Sequence, residues 1–179
     1  VMIVLPADHW VADVKAFQQV VKVLRARLPI ARVVVVADRG MISKDTISSL
    51  MNHPQGPWDY VLGCRMRQNK EVTQQVLKDE HGYERVESNL EVKDVRVGNR
   101  RYVVCRNPME AAKDALTREA VLAKLQDTLV HHGPKAVIGN RGFARFVRVA
   151  RGSVTVDPEA VERDARFDGL FVLTTSTEA

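Results

Sequence analysis

The sequence predicts an α/β fold, and three observations carry that reading. An unbroken apolar run, Val33 to Ala37, follows an amphipathic stretch stopped by Pro29, so the chain opens as strand, helix, strand. Two alternating runs, Leu90 to Val97 and Arg101 to Cys105, flank Gly98-Asn99-Arg100 and read as an antiparallel hairpin. Around these lie stretches whose apolar residues recur every three or four positions, the spacing of a helix with one buried face.

In order, Val1 to Leu5 is a short apolar strand ended by Pro6. Val11, Val14, Phe17, Val20, Val21, Leu24 and Leu28 mark the first amphipathic helix. The strand Ile30 to Ala37 follows, with the parallel βαβ crossover as the economical topology. A nearly continuous Val run is the pattern of a strand buried on both faces. It stops at Asp38, where open α/β sheets carry their ligands and reacting groups. Asp38 reads equally as a turn or helix-cap residue before the helix from Ser43 to about Asn52. HPQGP breaks that helix, and Tyr60 to Cys64 is the next strand.

From Arg65 to about Arg151 the rhythm differs. A polar helix from Asn69 to Lys78 leads to the hairpin. Asn107-Pro108 then starts a long helix from about Met109 to His131, with Leu116, Leu122, Leu125 and Leu129 on its apolar side and Gly133-Pro134 closing it. An irregular GNRGFAR precedes strands at Phe146 to Val149 and Ser153 to Val156. A last helix, Pro158 to Arg166, with Pro in the first helical position, leads to a strand over Gly169 to Thr174. There is no internal repeat and no low-complexity tract.

Composition narrows the functional classes. At 179 residues with 45% apolar content, the chain suffices for one domain, or for a domain carrying a large insertion. A net charge of +5 with few aromatics admits a polyanionic partner without demanding one. Cys64 and Cys105 sit in apolar strands, read as reduced core residues, and form no C-x-x-C ligand pair. His131-His132 is a poor metal pair, because adjacent helical residues point apart, and it suits a helix C-terminus. No apolar stretch nears the ~20 residues of a membrane span and no signal peptide opens the chain, so the expected location is cytoplasmic. The chain opens on VMIVLP without Met, which suggests an alternative start codon or a piece of something longer.

Three segments together resemble one family. VVVVADRGMIS, RNPMEAAKDALTRE and FDGLFVLTTS are similar to the second-aspartate region, the inserted segment and the returning strand of DDE transposases of bacterial insertion sequences. The resemblance implies an incomplete RNase H-like core with an α+β insertion between the core strands. Residues 1–64 would be the first part of the core, 65–151 the insertion and 152–179 the return. In that family three carboxylates hold two divalent ions, Mg²⁺ with Mn²⁺ possible as a substitute. Two metals about 3.5–4 Å apart clamp the attacking and leaving oxygens of an in-line phosphoryl displacement, and hard Mg²⁺ prefers oxygen ligands.

Carried over by position, Asp38 is the second acid, catalytic and metal-binding. The first Asp is expected upstream of residue 1 and the Glu beyond Ala179; Glu178, with no helix after it, is a poor match. One acid of three implies that this polypeptide alone does not cleave DNA. The family's P-G-N-T-x-D-like segment appears as PADHWVAD, which keeps Pro6 and Asp13 but not the residues between; Asp13 reads more simply as an acid in the first turn of a helix.

The resemblance also implies double-stranded DNA at the transposon ends as partner, a homodimer in the full-length protein, no membrane, and a bacterial, nucleoid-associated setting. Thr128 to Val156 holds no acidic residue but carries Lys135, Arg141, Arg145, Arg148 and Arg151. Such a run suits phosphate contacts and equally a solvated basic edge. Arg101, Arg106 and Arg118 form a second basic group around Asn107. The resemblance assigns this segment to the transposon ends, with Asn107 and Arg118 at matching positions. Locally, Asn107 would cap the helix and Arg118 would pair with Asp114, while Asp168 of the D-G pair would serve as a turn residue. Two other readings stay open: a transposase remnant that binds DNA or assembles without chemistry, and a small nucleotide-binding α/β protein. The second lacks any Gly-rich phosphate loop.

Overall fold

The computed structural model describes residues 27, 33–37, 47, 48, 51, 52, 58–150 and 153–178. The expected strand at 1–5, the helix at 11–28 save for residue 27, and most of the helix at 43–52 lie outside the described residues. Within them the chain is mixed α/β, with a six-stranded mixed sheet, a two-stranded sheet and helices. It divides into two units. The first draws on Val1–Arg85, Val92–Cys105 and Phe171–Ala179, the second on Val86–Glu91 and Arg106–Leu170.

The first unit is built on the larger sheet. Its strands are β1 (Val34–Ala37), β2 (Asp59–Gly63), β3 (Glu84–Glu87), β4 (Leu90–Val97) and β5 (Arg100–Arg106), with the late strand Leu170–Thr175, numbered β8 in chain order. The order across the sheet is β1-β2-β8-β5-β4-β3. β1 runs parallel to β2, with Val34 opposite Asp59 and Ala37 opposite Leu62. β8 returns antiparallel to β2, with Val61 opposite Thr175. The alternation of β2 buries Tyr60 and Leu62, which join Trp58, Val72, Val76, Tyr102, Val104 and Val172 in the core.

Contrary to the pattern of its Val run, β1 is not buried on both faces. Val34 and Val36 are 39% and 54% exposed, because the pleat sends alternate side chains to one face and no described element covers that face. The expected helix at 69–78 forms as a wide turn over Val72–Val76, in which the Leu77 N–H donates to the Val72 carbonyl five residues back at 2.9 Å. This spacing brings Val72 and Val76 together in the core, and the Asn69 side chain accepts from the Glu71 N–H at 3.0 Å. The hairpin turns on Gly98 at φ +56°, a conformation that favours glycine. β3 has no counterpart in the sequence reading: all four of its residues are exposed, so it carries no apolar period.

The second unit is organised by α1 (Pro108–Ile138). Pro108 takes the first helical position and the Asn107 side chain caps the helix, accepting from the Met109 and Glu110 N–H groups at 2.9 and 3.2 Å. The expected stop at Gly133-Pro134 is instead a bend. Gly133 leaves helical geometry at φ +75°, and the helix resumes from Pro134 to Ile138. The segment expected to be irregular contains the helical turn α2 (Arg141–Ala144), capped by Asn140. An antiparallel hairpin of β6 (Val147–Ala150) and β7 (Ser153–Val156) and the helix α3 (Pro158–Ala165) complete the unit. Leu125, Val137, Phe143, Phe146 and Val154 form its core, with Leu122 and Leu129 packed against them. Leu116, expected on the same side, is 67% exposed; at 100° per residue it lies on the opposite face of α1 from Leu125.

Candidate nucleic-acid interface

The RNP and D-G segments meet in the second unit. The Asn107 N–H donates to the Gly169 carbonyl at 2.9 Å, and the Gly169 N–H donates to Asp114 Oδ2 at 2.9 Å. Gly169 has φ +64°, and a Cβ there would stand 2.3 Å from the Asn107 carbonyl oxygen and 2.8 Å from the Ala111 Cβ. Only glycine permits so close an approach. The Arg118 guanidinium donates to Asp168 Oδ1 at 2.5 Å, and both side chains are nearly buried, at 12% and 13% exposure. The Asp168 carboxylate is the largest cause holding the Arg118 pKa above its ordinary value.

The expected Arg118–Asp114 pair is therefore replaced by two longer-range contacts. Asp114 and Arg118 share a face of α1, and that face meets the 168–169 turn. Asp168 is both a turn residue and the acid of the joint. The pairing was not visible in either segment alone, although D-x-x-x-R in one and D-G in the other supply one acid, one base and one glycine that fit together.

Most of the other basic candidates also have acidic partners. In the first unit Arg101 bonds Asp94 across the β4–β5 pair through Nε at 2.6 Å and reaches the Thr177 carbonyl at 2.5 Å. In the second, Arg106 holds Glu91 through Nε at 2.7 Å. Arg145 reaches Asp164 at 3.5 Å while its guanidinium stacks 4.5 Å over the Phe146 ring. Arg148 reaches Asp157 at 3.1 Å and Glu159 at 3.4 Å. The acid-free run in the sequence is thus supplied with carboxylates by the α3 region that follows it. Arg141 and Lys135 are exposed, and neither forms an ion pair with an acid among the described residues.

Asp157 ties that region together. It caps α3, accepting from the Glu159 and Ala160 N–H groups at 3.1 and 3.3 Å, and it faces Arg148 and Arg163. Its desolvation alone would raise the carboxyl pKa. The Ala160 N–H and the Arg148 and Arg163 charges outweigh it and hold the group below the usual range.

Asp38, Asp13 and Arg151 lie outside the described residues. Asp38 is the residue directly after β1, whose last member pairs with Leu62 of β2. Among the described residues no three His, Cys, Asp or Glu side chains gather as a metal-ligand group. Glu178 forms an exposed pair with Arg96 at 3.4 Å. No helix among the described residues is long and apolar enough to cross a membrane. No family model, curated protein or solved structure matches this chain.

Proposed function

We propose that this chain belongs to a DDE transposase of a bacterial insertion sequence, with an RNase H-like core. In this reading Asp38 is one of three metal-binding carboxylates and the second unit contacts the DNA of the transposon ends. The supporting observation is the joint between the RNP and D-G segments. Arg118 with Asp168 and Asp114 with Gly169 are 50 and 55 residues apart in sequence. The two motifs that suggest the family therefore touch one another in the fold. Mg²⁺, or Mn²⁺ in its place, is the metal such carboxylates would hold.

Within this reading the basic residues take different roles. Arg118, Arg106, Arg101 and Asn107 shape the protein that presents the DNA surface, since their polar groups are engaged within it. Arg141 contacts phosphate directly. Arg145 and Arg148 contribute as half-engaged cations, exposed over about half of each side chain.

The test is an excision assay using the whole reading frame in which this chain is encoded, with the terminal repeats beside it, comparing wild type with Asp38→Ala. Excision that Asp38→Ala abolishes is expected. Excision indifferent to Asp38, or a gene with no terminal repeats around it, overturns the reading. Duplex binding without Asp38-dependent excision would favour a binding or assembly module.

A further inference from the structure

The outward face of α1 is not the polar face a surface helix normally presents. Leu125 and its neighbours cover the inner side. Along the opposite side run Met109, Ala112, Leu116, Ala120, Ala123 and Val130, all exposed, with Met109, Leu116 and Val130 at 69%, 67% and 79%. Met109, Leu116, Ala123 and Val130 recur every seven residues, the seam spacing of paired helices. The single charge on the centre line of this stripe is Asp127.

We infer that this face is a self-association surface on which α1 of one copy pairs antiparallel with α1 of a second. Charge selects both the occupant and its direction. Centred on Ala120, an antiparallel pairing sets Lys113 of each copy against Asp127 of the other, twice by symmetry. A parallel pairing would set Lys113 against Lys113 and Asp127 against Asp127, which repels. Ala120 at the two-fold axis and Ala112 and Ala123 beside it let the helices approach closely. The present partners of these charges yield readily: Lys113 holds Glu110 at 3.3 Å and Asp127 holds His131 at 3.0 Å, both as exposed pairs within one helix that contribute little. The other charged and polar groups along the seam are Glu119, Lys124 and Gln126, all exposed. From Met109 to Val130 the stripe is about 33 Å long. It would bury on the order of 1,000 Å² in total, the area of a weak, reversible dimer. The inference rests on this face alone and does not depend on the transposase reading.

Sedimentation equilibrium of the whole chain tests it. A concentration-dependent dimer is expected, with Leu116→Glu shifting it to monomer at unchanged far-UV dichroism, since Leu116 takes no part in the core. Lys113→Asp should weaken association about tenfold, and Lys113→Asp with Asp127→Lys should restore it. A chain that stays monomeric to ~100 µM, toward the weak end of protein association, overturns the inference. So does a dimer indifferent to Leu116→Glu, or a double variant no tighter than Lys113→Asp. A monomer whose Leu116 face is protected from hydroxyl-radical labelling would place another part of this chain there, also overturning it.

Discussion

Asp157 and Cys64 show how single residues take their chemistry from their surroundings. The Asp157 carboxyl titrates below its ordinary value in the folded chain. Its ionised form therefore adds stability that is fully present above the unfolded value of about 3.9 and is lost as pH falls through the folded value. Thermal unfolding followed by circular dichroism should show stability falling below about pH 4. Asp157→Asn keeps a capping side chain but removes the charge, so it should flatten that acid limb; an unchanged limb would refute the assignment. Cys64 is buried, and desolvation, followed by the Glu71 charge, pushes its thiol up to about 11. With little thiolate at neutral pH, Cys64 should resist iodoacetamide in the native chain and react on unfolding. Mass spectrometry of the alkylated peptides would detect rapid native labelling, the contrary result.

At the scale of elements, the 168–169 turn of the second unit is held against the first turns of α1 by a joint that tolerates few substitutions. Gly169→Ala would drive a Cβ into backbone atoms of Asn107 and Ala111 and should cost at least ~2 kcal/mol in denaturant melts. Gly98→Ala is the control, because it also has positive φ but nothing within 4 Å of its Cβ; its cost should stay near ~1 kcal/mol. Arg118→Ala leaves Asp168 nearly buried without its cation and should cost about 3–5 kcal/mol. A loss no larger for Gly169→Ala than for Gly98→Ala would mean that the joint is not formed. α1 also explains why one amphipathic pattern can mislead. Leu116 shares the helical spacing of Leu122, Leu125 and Leu129 only loosely, and it points the other way.

For the whole molecule, the proposed transposase reading predicts that binding of duplex DNA is governed by which cations are available rather than by their number. Removing one phosphate-binding cation lowers the salt slope of log K by about 0.9. Arg141→Ala should have about that effect, whereas Arg148→Ala should change the slope less, because Asp157 and Glu159 already compete for that guanidinium. Fluorescence anisotropy of a labelled duplex across a potassium chloride series measures both. Equal slopes for Arg141→Ala and wild type would remove Arg141 from the interface.

The sequence by itself determined the features set over a few residues. It located the Val run of β1, the β4–β5 hairpin with its glycine, the Asn107 cap and the proline-led starts of α1 and α3, because periodicity, capping and turn chemistry act over a handful of positions. It also singled out Asn107, Arg118, Asp168 and Asp38 as residues of interest, although Asp38 lies outside the described residues. Tertiary structure alone decided the partners. Arg118 chose Asp168 over Asp114, Arg145 and Arg148 found acids in the segment after their own run, Val34 and Val36 met no cover among the described residues, and β3 formed with no pattern to announce it. Each of these depends on which distant surfaces come within bonding distance. A charge in a sequence carries no sign of which opposite charge, 50 residues away, the fold will bring against it.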